Sequence, residues 1–482
     1  MKHQLMFLFL AIVLSVPARS DVLSEWVGSE IDEHEAEYSE LAMDLWRWSE
    51  LGYREVKSSR AMQQQLGSEG FEIERSVAGL PTAFVASYGQ GEPIIGVLAE
   101  FDALPGLSQV AEPIRKARVE GAAGQACGHH LFGSGSTAAA ITVAKWLKKN
   151  GKSGTIRLYG TPAEEGGSGK VYMVREGLFE DVDTVLHWHP ADRNASGNAT
   201  TLANKSAKFR FSGIASHASA APEMGRSALD GVEAMNSMVN QLREHVPTDT
   251  RIHYVITDGG DVPNVVPAHA EVYYMVRSSD AGSLSPIWNR VEQAARGAAM
   301  GTGTEVNWEV IHGNHSTLPN RTLSEKTHGF LDYFGGVVYN EEEKKFSQTI
   351  QATYTSKLKT KLPDAATILP YSRKIFATPA STDVGDVSWY VPTTGLMTAT
   401  WVPGTSPHSW QAVAAGGMSI GHKGMLLAAK VIARTAIDLI ESPDTVARAK
   451  VEFEERRGEG FVYEPLLGDR DPPLDYRAPK SN

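Results

Sequence analysis

Three continuous apolar runs, Pro93–Phe101, Thr155–Gly160 and Asp183–His189, constrain most what this chain can fold into. Runs this short and this uniformly apolar suit strands covered on both faces, the condition of a parallel sheet. Ser134–Asn150, between the first two, has a helical pattern. It opens on small residues and ends in Lys148, Lys149, Asn150 and Gly151, a helix stop. Alternating strand and helix is the grammar of an α/β domain with a mixed, largely parallel sheet. Two helical stretches come earlier, Glu30–Glu50 and Ser58–Glu69, the first with Leu41, Leu45 and Trp48 at three- and four-residue steps.

The pattern changes near Ala203. Lys208–Gly213, Arg251–Thr257 and Ala270–Arg277 alternate like half-exposed strands. Arg226–His245 is an amphipathic helix with Leu229, Val232, Met235, Met238, Val239 and Leu242 on one stripe. A second helix, Leu284–Ala299, and a strand, Glu305–Ile311, complete a small α+β domain inserted in the larger one. The larger domain resumes with Gly395–Pro403 and a helix over Lys423–Glu441. The expected division is a catalytic domain in two parts, 21–205 and 313–482, around an insert at 206–312. The stretch after Ser442 is charged and rich in Pro and Arg, and reads as surface-bound or mobile.

Residues 1–20 read as a secretory signal peptide. Lys2 and His3 precede an apolar run, Leu5–Val16, and Ala18-Arg19-Ser20 offers small residues for cleavage near Ser20. The run is short for a bilayer span, and no later segment spans one. The expectation is an exported protein, periplasmic or secreted. A net charge of -11 argues against nucleic acid and anionic membrane as partners. Export ordinarily favours disulfides, yet the chain has one cysteine, Cys127. With His129 two residues on, metal ligation explains that cysteine better than packing does.

Four sets of candidate ligands fall at strand ends. Cys127-Gly128-His129 follows a loop of Gly and Ala. Glu164-Glu165 follows the second strand and precedes Gly166-Gly167; one carboxylate suits a metal, and the other suits proton transfer. His187-Trp188-His189-Pro190 ends the third strand, where one histidine is expected to face the sheet end and the other to point away. His408 lies in a loop far downstream. Each set taken singly has an ordinary structural explanation: an accidental tripeptide, a solvated acidic turn, a strand histidine. Their joint placement favours a metal site, because parallel sheets bring successive loops to one edge. Gly166–Val171 imitates a phosphate loop but has Val171 where a hydroxyl should hold magnesium. Gly133–Ser136 does not match a serine-hydrolase elbow.

The motifs AEFDALPG, ACGHH, TPAEEGG, HWHP, GIASHASAAPEMGRSALDGVEAMN, GGDVPNVVP and PGTSPHS resemble metallopeptidase family 20, the dinuclear amidohydrolases. The resemblance covers nearly all of the chain after the signal segment. It implies a phosphorylase/hydrolase-like catalytic domain and a ferredoxin-like lid and dimerisation domain. It implies two divalent metal ions, zinc or manganese, with Cys127 as bridging ligand and His129, Glu165, His189 and His408 completing the set. Glu164 would be the general base. His217 would reach into the partner subunit's site and stabilise the oxyanion, with Asn264 contacting substrate beside it. Asp102 would support the ligands from behind. His130 stands where relatives carry Asp or Asn, and would perturb that support or act as a rival ligand. The implied reaction is amide hydrolysis of an N-acyl or N-aroyl amino acid, such as p-aminobenzoyl-glutamate. Arg226 and Arg277 are candidates for its free carboxylate, against ordinary salt bridges. A dipeptidase or another N-acyl amino acid hydrolase is the alternative enzyme, and a non-catalytic subunit the alternative class. The assembly implied is a homodimer, or a heteromer with a related subunit.

Overall fold

The computed structural model describes residues 19–355 and 360–477. Positions 1–18 of the expected signal segment lie outside the described residues. The larger domain is built on a seven-stranded sheet in the order Glu72–Arg75, Phe84–Gln90, Gly154–Gly160, Ile94–Ala99, Thr184–Ala191, Thr393–Ala399, Ala195–Ser196. The four strands running from Gly154–Gly160 to Thr393–Ala399 are mutually parallel. Antiparallel partners close both edges. The continuous apolar runs are therefore interior parallel strands, and their C-terminal ends share one edge.

The helix His129–Asn150 lies against the sheet and against a second long helix, Ser419–Glu441. It begins five residues before the position its sequence pattern suggested. Leu131 and Phe132 are fully buried and fix this first turn, each contributing roughly 1.5–3 kcal/mol. Gly133 permits the close approach, since a Cβ there would lie 2.8 Å from the carbonyl oxygen of Glu100. The helix start is thereby pressed onto a strand end.

The second unit is a four-stranded antiparallel sheet in the order Glu305–Asn314, Ala203–Ser212, His269–Ser278, Arg251–Asp258. Its two helices, Ala228–Leu242 and Ala281–Thr302, pack on one face around Phe209, Tyr274 and Trp288. Strand, helix, strand, strand, helix, strand in this order is a ferredoxin-like arrangement.

Several elements differ from the sequence reading. Glu30–Glu50 is two helices, Arg19–Glu33 and Glu35–Trp48, separated at His34. Helices Arg321–Phe334, Glu341–Gln351 and Val384–Tyr390 had no expected counterpart. After Ser442 the described residues form a helix, Pro443–Arg457, and then an extended segment that packs on the protein as far as Arg477, which agrees with the surface-bound reading and not the mobile one. Leu467 is buried in the main core, an anchor that composition does not reveal. Among the described residues no helix is long and apolar enough to cross a membrane.

Candidate metal centre

Five side chains from separate parts of the chain converge at the parallel edge. Cys127, His129 and His189 place ligand atoms within 4.8 Å of one another, and so do Cys127, Glu165 and His408. Cys127 belongs to both groups. Its sulfur lies 3.6 Å from Nε2 of His189. Burial pushes the thiol well up, so a coordinated cation is what would hold it as thiolate. Gly128 makes the convergence possible. Its φ is +80°, and a Cβ there would meet Pro190 at 2.7 Å. The cysteine loop can thus sit directly on the strand that carries His189. The His408 loop is tied in by its own backbone, since the His408 N–H donates to the Ala126 carbonyl at 3.0 Å.

The loop after Gly154–Gly160 carries Glu164 and Glu165. Ala163 adopts φ +58° there and donates its N–H to the buried Glu55 carboxylate at 2.9 Å. The Glu165 N–H donates to Oδ2 of Asp102 at 2.9 Å. The other Asp102 oxygen lies 2.9 Å from Nδ1 of His129. Asp102 therefore fixes one ligand's ring and the next ligand's backbone together, leaving Nε2 of His129 free to face an ion. Glu164 lies with Glu100 and His129 in a third convergent group. Burial raises its carboxyl well above the usual range, and Glu100, Glu165 and Asp383 add to that.

The sequence reading missed a buried charge cluster behind the ligands. Glu100, one residue past its strand, places Oε2 3.0 Å from Nε2 of His129. Its Oε1 lies 2.7 Å from Nζ of Lys170, and Lys170 is 2.6 Å from Asp383. All three are sequestered from solvent. Burial alone would lower the lysine's pKa, but Asp383 and Glu100 outweigh it and hold the ammonium charged. Lys170 and Glu100 were within reach of the sequence. Lys170 lay in the rejected phosphate-loop match, and Glu100 is the acid two before Asp102. Asp383, 213 positions from Lys170, carried no local signal.

Two expectations need correction. His130 does not approach the ligand groups. Adjacent helical residues point about 100° apart, and its ring lies against the Gly416 carbonyl, with Nε2 at 3.0 Å. Burial lowers its pKa to about 3, so it stays neutral. His187 does not point away from His189, because residues two apart on a strand share a face. His189 stands nearer the strand's end and reaches Cys127. The His187 ring fills the space over Gly395.

The inserted domain divides its candidates between two places. His217, Asn264 and Arg226 are exposed. They are joined by short bridges, His217 with Val265 and Ile214 with Arg226. Arg226 donates to the Gly225 and Glu223 carbonyls. Around them Ile214, Met224, Val262 and Val265 are exposed too. Arg277, by contrast, lies on the inner face of the domain. Burial lowers its pKa, and the charge of Glu164 opposes that shift. Its hydrogen bond goes to the Met275 sulfur, and it pairs with no carboxylate among the described residues. His312, also missed, hydrogen-bonds to Ser168 at the end of the Glu164 loop.

The donor set fits metal ions. Nε2 of His129, Oε2 of Glu100 and Oε1 of Glu165 are buried without hydrogen-bond partners, while Oε1 of Glu100 is taken by Lys170. Several nonetheless sit 3.0 Å from another polar atom. Donor atoms that converge without pairing are arranged to share a cation. Thiolate, imidazole and carboxylate are donors for zinc and its neighbours. An α/β domain with this constellation at its parallel edge, carrying a ferredoxin-like insert, is a metal-dependent hydrolase.

Comparison with known proteins extends this. Residues 203–302 match the M20 peptidase dimerisation domain. The chain is 42% identical over 438 residues to one of the subunits of p-aminobenzoyl-glutamate hydrolase of Escherichia coli, covering 86% of this chain and 91% of that one. It is 29% identical over 459 residues to the mouse Xaa-Arg dipeptidase, covering 91% and 94%. A dinuclear metal-binding M20 peptidase from Bacillus subtilis shares the fold, with TM-score 0.57 at 17% identity over 85% of this chain and 99% of that one. The chain belongs to the M20 peptidase family.

Proposed function

We propose that this chain hydrolyses the amide bond of an N-acyl or N-aroyl amino acid, with p-aminobenzoyl-glutamate the leading substrate. The observation that carries the reading is Cys127 shared between two ligand groups with Glu164 beside them. Two divalent ions, zinc or manganese, would be held by Cys127, His129 and His189 on one side and by Cys127, Glu165 and His408 on the other. Bound there, they supply an acidified water and polarise the scissile carbonyl. Glu164 accepts the water's proton and returns it to the leaving amine. Arg277, half-buried and unpaired on the inner face of the insert, receives the substrate carboxylate. Arg226, already committed to backbone carbonyls, is the weaker candidate.

The test is a hydrolysis panel on protein loaded with zinc or manganese. It compares p-aminobenzoyl-glutamate, its uncharged carboxamide analogue, indole-acetyl and other acyl amino acids, and dipeptides. A charged hydrogen bond to the carboxylate is worth about 1.5–3 kcal/mol. kcat/KM should therefore exceed that of an uncharged amide by roughly ten- to hundredfold. Cleavage of dipeptides alone would replace the proposal with a dipeptidase, the activity for which the mouse relative is named. Two bound ions without turnover on any member would leave a non-catalytic subunit.

His217 and Asn264 would act in the partner subunit's site. Their exposure among Ile214, Met224, Val262 and Val265 supports a dimer surface at that end of the insert. Mixing inactive His217→Ala protomers with inactive Glu164→Gln protomers should restore activity, because one of the two sites is then complete. No recovery in confirmed mixed dimers would mean that His217 does not act across the dimer. The partner is a second copy, or a related chain, as the naming of the E. coli relative as a subunit suggests. Export, with cleavage near Ser20, belongs to the same proposal. It rests on the apolar run Leu5–Val16 and is read from the N-terminus of the mature protein.

A further inference from the structure

The segment Phe461–Arg477, in a stretch whose composition reads as surface-bound or mobile, runs across the molecule to the back of the loop that carries Glu164 and Glu165. Near its start, Tyr463 donates to Asp386 at 2.8 Å, and Nε2 of His315 lies 2.9 Å from the Glu464 carbonyl. Leu466 packs against Gly313 of the insert. Arg470 donates to Glu309 of the insert's outer strand at 2.9 Å. From the catalytic domain, Arg175 donates to the Arg470 carbonyl at 2.7 Å. The segment is thus fastened to both domains before it reaches the site.

At its end two side chains converge on one atom. The Tyr476 hydroxyl donates to the main-chain carbonyl of Glu165 at 3.2 Å. The Arg477 guanidinium donates to the same oxygen at 2.8 Å. The Tyr476 ring stands edge-on to Tyr53, centroids 5.7 Å apart, and Tyr53 in turn donates to the Gly167 carbonyl at 2.6 Å. Gly52 leaves the room this needs, since a Cβ there would fall 2.2 Å from the Tyr476 hydroxyl. Glu165 is therefore held on both sides: Asp102 takes its N–H, and the segment takes its carbonyl. Its neighbours Gly166 and Gly167 have no side chains to hold the turn by packing, so these bonds add to the turn's own, from Gly166 N–H to the Glu164 carbonyl and from Gly167 N–H to the Ala163 carbonyl.

We propose that Tyr476 and Arg477 are positioning residues that set how tightly the Cys127–Glu165–His408 group holds its ion. This rests on Glu165 being a metal ligand. Outer partners of a ligand typically change metal affinity by about 10–100-fold. Only one of the two groups contains Glu165, so the effect should fall on one ion and spare the ion held by Cys127, His129 and His189.

The experiment is a chelator titration of the full-length protein with zinc, following bound metal per chain, for the wild type, Arg477→Gln, Tyr476→Phe and the double variant. The expected result is that one of two ions is released at about tenfold or lower chelator strength in the double variant, while the other is unchanged. Added zinc should restore kcat, with KM for substrate unaltered. Arg477→Gln alone removes a single bond from a partly exposed residue, and so keeps the test readable should the double variant misfold. Arg470→Gln is the control: it cuts the tie to the insert without touching Glu165 and should leave both affinities as they were. Release of both ions from the double variant at the wild-type chelator strength would overturn the proposal. So would an equal loss at both ions, or an Arg470→Gln effect as large, since each would mean general loosening. A Glu165→Gln variant that keeps both ions would instead remove Glu165 from the ligand set, which separates that failure from this one.

Discussion

Glu164→Gln should lower kcat by about 10²–10⁴, the usual contribution of a positioned acid–base group, while both metal ions stay bound. The substitution keeps the side chain's shape and removes its capacity to accept a proton. It leaves untouched the groups formed by Cys127, His129 and His189 and by Cys127, Glu165 and His408. Metal analysis beside single-turnover kinetics separates the two effects. Turnover at the wild-type rate would exclude Glu164 as the base. Loss of metal in step with activity would instead make it a ligand, a role its place with Glu100 and His129 keeps open to measurement.

Lys170→Met should destabilise the catalytic domain by about 3–5 kcal/mol, the usual cost of breaking a buried ion pair by removing one partner. The ammonium lies 2.7 Å from Glu100 and 2.6 Å from Asp383, and both carboxylates would be stranded without water. Denaturant unfolding, followed by a probe in the larger domain, reads this. Asp383→Asn added to Lys170→Met should recover part of the loss, because one stranded charge is gone. No recovery would mean that packing around Lys170, and not its charge, carries the effect. The pH dependence has a definite sign. In the variant, Glu100 and Asp383 lose the charge that favoured ionisation, so their folded-state pKa values rise above the unfolded ones. Such groups cost stability as pH increases. The penalty should therefore be smallest in acid and grow through neutral pH. In the wild type Asp383 already sits at about 6, raised by burial against the pull of Lys170.

Much of the centre was legible because its ligands lie in short motifs at the ends of apolar runs. The strand positions follow from continuous hydrophobicity, and parallel topology then brings Cys127, His129, Glu165, His189 and His408 to one edge. The His187 error came from the same local reasoning applied at the wrong period. A strand repeats every two residues, so the pair shares a face and only distance along the strand separates them. The expectation for His130 rests on its place in the motif, which carries no information on direction. Once the helix begins at His129, the next side chain turns away from the metal and packs on Gly416.

The sequence by itself determined the class of sheet, the insert, the ligand motifs and the resemblance to a dinuclear amidohydrolase family, since each is written in residues close along the chain. Tertiary structure alone decided that Lys170 neutralises Glu100 and Asp383, and that Tyr476 and Arg477 hold the carbonyl of Glu165. These are contacts between residues up to 312 positions apart. Periods of two and 3.6 residues report which face a side chain takes on its own element. They hold no information on which distant element will meet that face. That choice is made when the core closes and every buried charge must find its partner.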